Sequence, residues 1–312
     1  QVKSQQAALT VPKLDSLAPD RSGSGRSEMW SKADVRVVMN PTTKSVTVQR
    51  ADGGIDTAAG LALDTCGAIS ASSSFYDSRE ETSINMMDVD QAKLMACIQN
   101  SKVFTAQDGK VLSMADTSGG GLALHFSFDP EPTGANANKY GVRIRNGATL
   151  GPAGGPAPKG LSIATNQPLY VQGSYNSTNS VPASLMGDTI NVLSNAWVDG
   201  VKTAVYIPPA TPTEIHAAFL GGTDSTATGN YNGGLENYPR LHENWAAVPL
   251  TYVGSFVSLG TPTKARGNWK KAKYSAPNRI WSYDTQFNSA DKLPPLTPRF
   301  VYLRQLFFAR DY

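Results

Sequence analysis

Between residues 33 and 54 the chain alternates. Val35, Val37 and Met39 fall on one side of a two-residue period, with Arg36 and Val38 on the other. Asn40-Pro41-Thr42-Thr43 reads as a turn, after which Val46 and Val48 alternate with Thr47 and Gln49. Two such runs, closed by Asp52-Gly53-Gly54, predict an N-terminal β-hairpin. A helical period stands out once, in "DVDQAKLMACIQN" at 88–100, where Leu94 and Ile98 share a face with Met95 and Cys97 near its edges. Asp88 is its expected N-cap and Gln91 completes a capping box. The Asp88/Asp90 pair then serves the helix N-terminus and is not a calcium set.

From residue 101 onward helical periodicity nearly disappears. "KVLSMAD" and "LALHFSFD" within 110–129, and "YGVRIRNG" at 140–147, look like strands. So do 161–164, 169–172, 189–193, 215–220 and 250–259, most of them separated by Gly, Asn, Ser, Asp or Pro. The last stretch, 301–312, reads as a strand or a short helix. Pro168 stands where a strand begins and Gly173 where the chain must bend, the places these residues tolerate best. The runs centred near 170, 191 and 218 lie 21 and 27 residues apart, separations that suit one circuit of a wound sheet with inserted loops. The expected fold is mainly β: a β-solenoid body with an N-terminal β-hairpin and one short α-helix, a β-sandwich being the alternative. Residues 1–29 read as a flexible or helical lead-in, 30–150 as an α+β part, and 151–312 as a solenoid-like part continuous with it.

Composition narrows the class. Of 312 residues only 17 % are charged, with 28 glycines and 20 prolines, a profile closer to extracellular β proteins than to helical cytosolic enzymes. A net charge of +3 is too small to imply a nucleic-acid partner. The chain opens on "QVKSQQAALT" without Met, which reads as a mature or trimmed form. Cys66 and Cys97 are 31 residues apart. They are either a disulfide, worth about 3–4 kcal/mol in the loop-entropy picture, or two buried thiols. With no CxxC motif and no Cys/His cluster, no metal site and no cofactor are expected.

The densest polar stretch, "GGLENYPRLHENW", holds Glu236, Arg240, His242, Glu243 and Trp245. It reads as a structural network pinning a loop onto the strand beneath it, in preference to an acid–base or metal site. "FYDSREE" gathers Asp77, Arg79, Glu80 and Glu81, read as a salt-bridge network that would need a histidine from elsewhere to become a catalytic dyad. His125 and His216 each lie in an apolar alternation and read as satisfied, buried or half-buried histidines. No nucleophile elbow, P-loop, HExxH or dinucleotide fingerprint occurs, so no catalytic residue is assigned. "KARGNWKKAKY" collects Lys264, Arg266, Lys270, Lys271 and Lys273 around Trp269 without an acid. These six are the candidate contact for an anionic polymer such as an acidic glycan.

Several phrases carry a resemblance: "WSKADVRVV" (30–38), "SFYDSREETSINMMDVDQAKL" (74–94), "GLSIATNQPLYVQGSYN" (160–176), "GDTINVLSNAW" (187–197), "NGGLENYPRLHENW" (232–245), "LTYVGSFVSL" (250–259) and "PNRIWSYDTQFNSADKLPPLTP" (277–298). Together they resemble PilX-like, prepilin-type pilus-assembly and cell-envelope proteins of Gram-negative bacteria, a largely uncharacterised family. The resemblance implies a cell-surface, extracellular or periplasmic protein, structural or adhesive and not enzymatic. It implies other pilus or envelope proteins, or further copies of the chain, as partners. It also implies a membrane attachment made only through an N-terminal helix that this chain lacks. The competing expectation is a carbohydrate-active β-helix enzyme or a glycan-binding module. Such an enzyme needs Asp, Lys or Arg at matching positions of successive coils, and the strand runs look nearly devoid of charge.

Overall fold

Elements form in the order the alternation suggests, with additions. The computed structural model describes residues 12–71, 73–106, 109–223, 228, 238–267 and 274–297. The first part holds α1 (Glu28–Ser31), the hairpin strands β1 (Val35–Met39) and β2 (Val46–Gln49), α2 (Thr57–Cys66), β3 (Ile69–Ser70), β4 (Ser74–Asp77), β5 (Thr82–Asp90) and α3 (Gln91–Ser101). There follow β6 (Leu122–Phe128), β7 (Tyr140–Arg145), β8 (Leu161–Thr165), β9 (Leu169–Gln172), β10 (Ala183–Gly187) and β11 (Ile190–Leu193). The last are β12 (Thr213–Gly221), β13 (Arg240–Leu241), β14 (Pro249–Ser258) and β15 (Asn278–Tyr283). Strand occupies 34 % and helix 16 %, so the protein is mainly β.

The strands lie in two sheets. Sheet A runs β15-β14-β12-β10-β8-β6-β1-β2 and sheet B runs β13-β11-β9-β7-β5-β3, with β4 pairing β5 on the same edge as β3. From β5 to β14 successive strands fall alternately in B and A. Each pairs in parallel with the strand two places away in sequence. The hairpin β1–β2 is antiparallel, as its alternation predicts. Both sheets run without a break across residue 151.

Register stacks like residues. In sheet A, Val35, Leu124, Ile163, Leu185, Phe219 and Phe256 form one inward row. In sheet B, Val89, Ile144, Val171, Val192 and Leu241 form another. Nearly all of these are fully buried in one apolar cluster between the sheets. Near-continuous apolar strands are what parallel sheets covered on both faces require. Burial at about 25 cal/mol per Å² makes these rows the main stabilising term.

Several expectations need correction. The helix expected at 88–100 is α3, which begins at Gln91 with Asp90 as its N-cap, accepting from Lys93 N at 3.1 Å. Asp88 instead belongs to β5, because Arg143 on the neighbouring strand binds it. Among the described residues there are three α-helices where one was expected, and α2 is capped by Asp56, which accepts from Ala59 N at 3.0 Å. Cys66 and Cys97 are joined, with their Cα atoms 5.9 Å apart, so α2 is stapled to α3. Residues 110–116 form no strand beyond a bridge between Thr105 and Val111. Residues 12–29 are no loose lead-in: Leu14, Leu17 and Met29 pack on Ala164, Met186 and Leu220, on the outer side of sheet A. Gly173, just past β9, has a φ of 81°, and a Cβ there would lie 2.7 Å from Asn195 Oδ1, which is why the bend takes glycine. The terminal stretch 301–312 lies outside the described residues.

Candidate functional site

The two polar stretches singled out in the sequence meet on the outer side of sheet B. There the pairing stacks Asp88, Arg143, Tyr170, Asn191 and Arg240, one residue from each of five strands. This overturns the expectation that the strand runs lack charge in register. Side chains of one strand alternate between faces, so inward neighbours such as Ile144 and Val192 hide the row in an apolar-looking sequence. The row is itself covered: all five residues are buried, beneath β4 and the loop that follows β11. Phe75 of β4 and Trp197 of that loop close over it edge to face, their centroids 4.9 Å apart.

Each polar group in the row is bonded. Arg143 is gripped on two sides, by Asp88 (Nη2 to Oδ2, 2.8 Å) and by Asp199 (Nη1 to Oδ1, 2.6 Å). Burial alone would lower the Arg143 pKa, but the two carboxylates hold it above its ordinary value. The Tyr170 hydroxyl donates to Asp77 Oδ2 at 3.0 Å, and Asp77 Oδ1 accepts from Arg79 N at 2.8 Å. Arg240 donates to Glu80 Oε1 at 2.9 Å and to the Ala265 carbonyl at 2.8 Å. Glu80 also accepts from Gly267 N at 2.7 Å and Arg266 N at 3.2 Å. One carboxylate thus ties the turn after β4 to residues 265–267. Glu81 sits in that turn with φ 54° and is exposed.

The histidine that "FYDSREE" needed is His242. Its Nδ1 lies 3.8 Å from Asp77 Oδ1, and its Nε2 lies 2.9 Å from Asn191 Oδ1. Asn191 Nδ2 donates to Leu169 O and Thr189 Oγ1, which orients the amide and makes its oxygen the acceptor for His242 Nε2–H. Burial pushes His242 down to about 4, while Asp77 opposes the shift. Burial would raise Asp77, yet His242, the Arg79 N–H and Arg240 hold it below its ordinary range. At neutral pH the pair is therefore a carboxylate beside a neutral imidazole. Its exposure, 1 % for each residue, leaves no room for a substrate to touch either. At 3.8 Å the two groups are buried neighbours and not a hydrogen-bonded dyad.

The other predicted residues are placed as follows. Glu243 accepts from Ser194 N and Oγ, both at 2.6 Å, and burial raises its pKa. Lys202 Nζ donates to the His242 carbonyl at 2.5 Å. Trp245 departs from the polar network, lying wholly buried in the apolar cluster between the sheets. Glu236 lies outside the described residues. His125 is buried in β6, its Nε2 2.8 Å from the Leu17 carbonyl, and His216 bonds Glu214 at 2.7 Å.

Of the anionic-polymer candidates, Trp269, Lys270, Lys271 and Lys273 lie outside the described residues. Lys264 is paired with Glu131 at 2.5 Å and Arg266 is exposed. Both border an open cleft of about 430 Å³ that Glu80 and Asn138 also line. The backbone here is pinned by Asp188, which accepts from Thr263 N (2.6 Å), Lys264 N (2.9 Å) and Ala265 N (2.9 Å). Sequence reasoning missed Asp188, Arg143, Asn191, Asp199 and Lys202, and read Asp88 as a helix cap. Only "YGVRIRNG", with arginine at the polar positions of an alternating strand, hinted at the row. Among the described residues no group of His, Cys, Asp and Glu has the arrangement of a metal site, and no helix is long and apolar enough to cross a membrane. No protein-family model, curated protein or solved structure matches this chain.

Proposed function

We propose that this chain is a non-enzymatic cell-surface or pilus-associated protein whose body is a two-sheet β-solenoid and whose work is structural or adhesive. The strict alternation of parallel strands between sheets supports the winding. In a wound chain each strand finds its partners on the coils above and below. One observation carries the functional part: the charged groups stacked along sheet B are bound to one another beneath a second layer and face no substrate. Such a row stiffens the body and fixes its register, as load-bearing or surface-presenting work requires. The resemblance to PilX-like envelope proteins supplies the place, and the Cys66–Cys97 bond suits an oxidising compartment. Partners on this reading are other pilus or envelope proteins, and an acidic glycan at Lys264 and Arg266. Antibody labelling of intact cells and of sheared pili tests it. Label on either, lost when the pilus-assembly ATPase is deleted, is expected; label confined to the cytosol overturns it.

A second reading has one observation in its favour. Asp88, Arg143 and Arg240 stand in register on separate strands, the arrangement a carbohydrate-active β-helix needs. Release of new reducing ends from an acidic polysaccharide, abolished by Asp77→Asn, would favour it over the first.

A further inference from the structure

Sheet A ends in a strand that is hydrogen-bonded, among the described residues, on one edge only: β15, paired with β14. Asn278 N donates to Val248 O at 2.9 Å and Asp284 N to Gly254 O at 3.1 Å. Even-numbered residues therefore turn their main-chain groups toward β14. Strand alternation then directs the N–H and C=O of Arg279, Trp281 and Tyr283 away from the protein. The strand is open to solvent, with Ile280 53 % and Tyr283 50 % exposed. An exposed apolar edge of this length is a template for another strand.

What would cover it is limited by the opposite end of the sheet. The far edge of β2 is occupied over its C-terminal half, since Val48 O accepts from Asp56 N at 2.8 Å and Gln49 bridges Ile55. Head-to-tail stacking of copies through sheet A would have to displace residues 55–56 from that edge. The remaining self-association is closed: β15 against β15.

We propose that two copies of this chain associate by antiparallel pairing of their β15 strands about a two-fold axis at Trp281. In that register Trp281 faces its own equivalent and Arg279 faces Tyr283 of the second copy. All three outward residues then sit in hydrogen-bonded pairs. Charge supports the choice. Arg279 is the one charged residue of the strand, and its guanidinium already lies over the Trp281 ring at 5.2 Å. Opposite tyrosine it meets another aromatic face. Centring the pair on residue 279 would set two arginines against each other, and centring it on residue 280 would leave Tyr283 unpaired. The contact rests on strand geometry alone and is independent of where the protein works.

Sedimentation of the full chain at tens of micromolar is expected to give twice the 33.2 kDa chain mass. Tyr283→Pro removes an outward N–H without touching the main-chain bonds to β14, though it also loses the ring's contact with Phe287 and the hydroxyl's bond to Asn288; it is expected to give a folded monomer. Register is read by cross-linking: Arg279→Cys mixed with Tyr283→Cys forms an oxidised pair, and neither does so alone. Hydrogen-bonded antiparallel pairs place Cα atoms about 5.5 Å apart, within disulfide range. The two native cysteines are already bonded to each other. A wild-type monomer, or a dimer that survives Tyr283→Pro and yields no mixed cross-link, overturns the proposal. If Tyr283→Pro does not fold, the cross-link decides.

Discussion

The two sheets are both covered on their outer sides, A by a mainly apolar layer with a few bonded polar groups such as Arg36 and His125, B by a charged one. Over sheet A lie Leu14, Leu17, Met29 and Leu296, packed on a row whose centre is Ala164, Met186 and Leu220. Over sheet B lie β4 and the loop after β11, joined to the sheet through the Tyr170–Asp77 and Arg143–Asp199 bonds. An apolar cover stabilises in proportion to the area it removes from water and tolerates small shifts. A charged cover must meet in one geometry, because any group left unpaired beneath it carries its full desolvation cost. The cover of sheet B should therefore be more specific, more sensitive to single changes and more sensitive to acid.

Arg143 gives the largest expected effect. Replacing it with Ala strands Asp88 in the interior, and breaking a buried pair in this way costs about 3–5 kcal/mol. Leu17→Ala on the other sheet removes apolar contacts without stranding a charge, and should cost about 2–3 kcal/mol. Urea unfolding of both variants against wild type measures the contrast. If Arg143→Ala is the milder of the two, the charged cover is not the tighter one.

Acid probes both covers, since each hides a histidine. His125 under the Leu17 segment and His242 under β4 are both pushed down to about 4, chiefly by burial, from an ordinary 6.5. The unfolded chain then takes up protons before the folded one. Stability from each histidine is complete above pH 6.5 and falls as the pH drops toward 4. At about 1.4 kcal/mol per pKa unit the loss approaches about 3 kcal/mol for each ring. Glu243 works the other way: its pKa is raised, so it favours the fold as the pH falls. Denaturation midpoints between pH 7 and 4.5 should decline in wild type and decline about half as steeply in His242→Gln. An unchanged slope in that variant would show that the imidazole is not held neutral by its surroundings.

These covers differ equally in how far they could be read from the sequence. Apolar alternation is a local signal, so β1, β2, β9 and β14 were legible, as was the helical face of Leu94 and Ile98. β10 was missed because "ASLMG" offers small residues on both faces, and β15 because its apolar positions are few and exposed. The charged cover is non-local. Glu80 and Arg240 are 160 residues apart, and nothing near either names the other. Asp88 shows the cost of local reading: it resembles a helix cap until Arg143 is beside it. The residue types at 77–81 and 236–245 were visible as polar clusters, but not that one cluster completes the other.

Tyr170 offers the smallest and sharpest comparison. Its ring belongs to the apolar side of the cover, edge to face with Phe75 at 5.2 Å, while its hydroxyl donates to Asp77. Tyr170→Phe keeps the ring and deletes only the hydrogen bond. A bond to a charged acceptor is worth about 1.5–3 kcal/mol. Asp77 retains the Arg79 N–H and the Arg240 charge, however, so about 1 kcal/mol is expected. A double-mutant cycle with Asp77→Asn isolates the coupling. If the two changes add, the hydroxyl is spectator to the carboxylate and the sheet B cover is held by packing like that of sheet A. If they couple, the polar row is one network, and its specificity resides in the bonds that cross from β9 to β4.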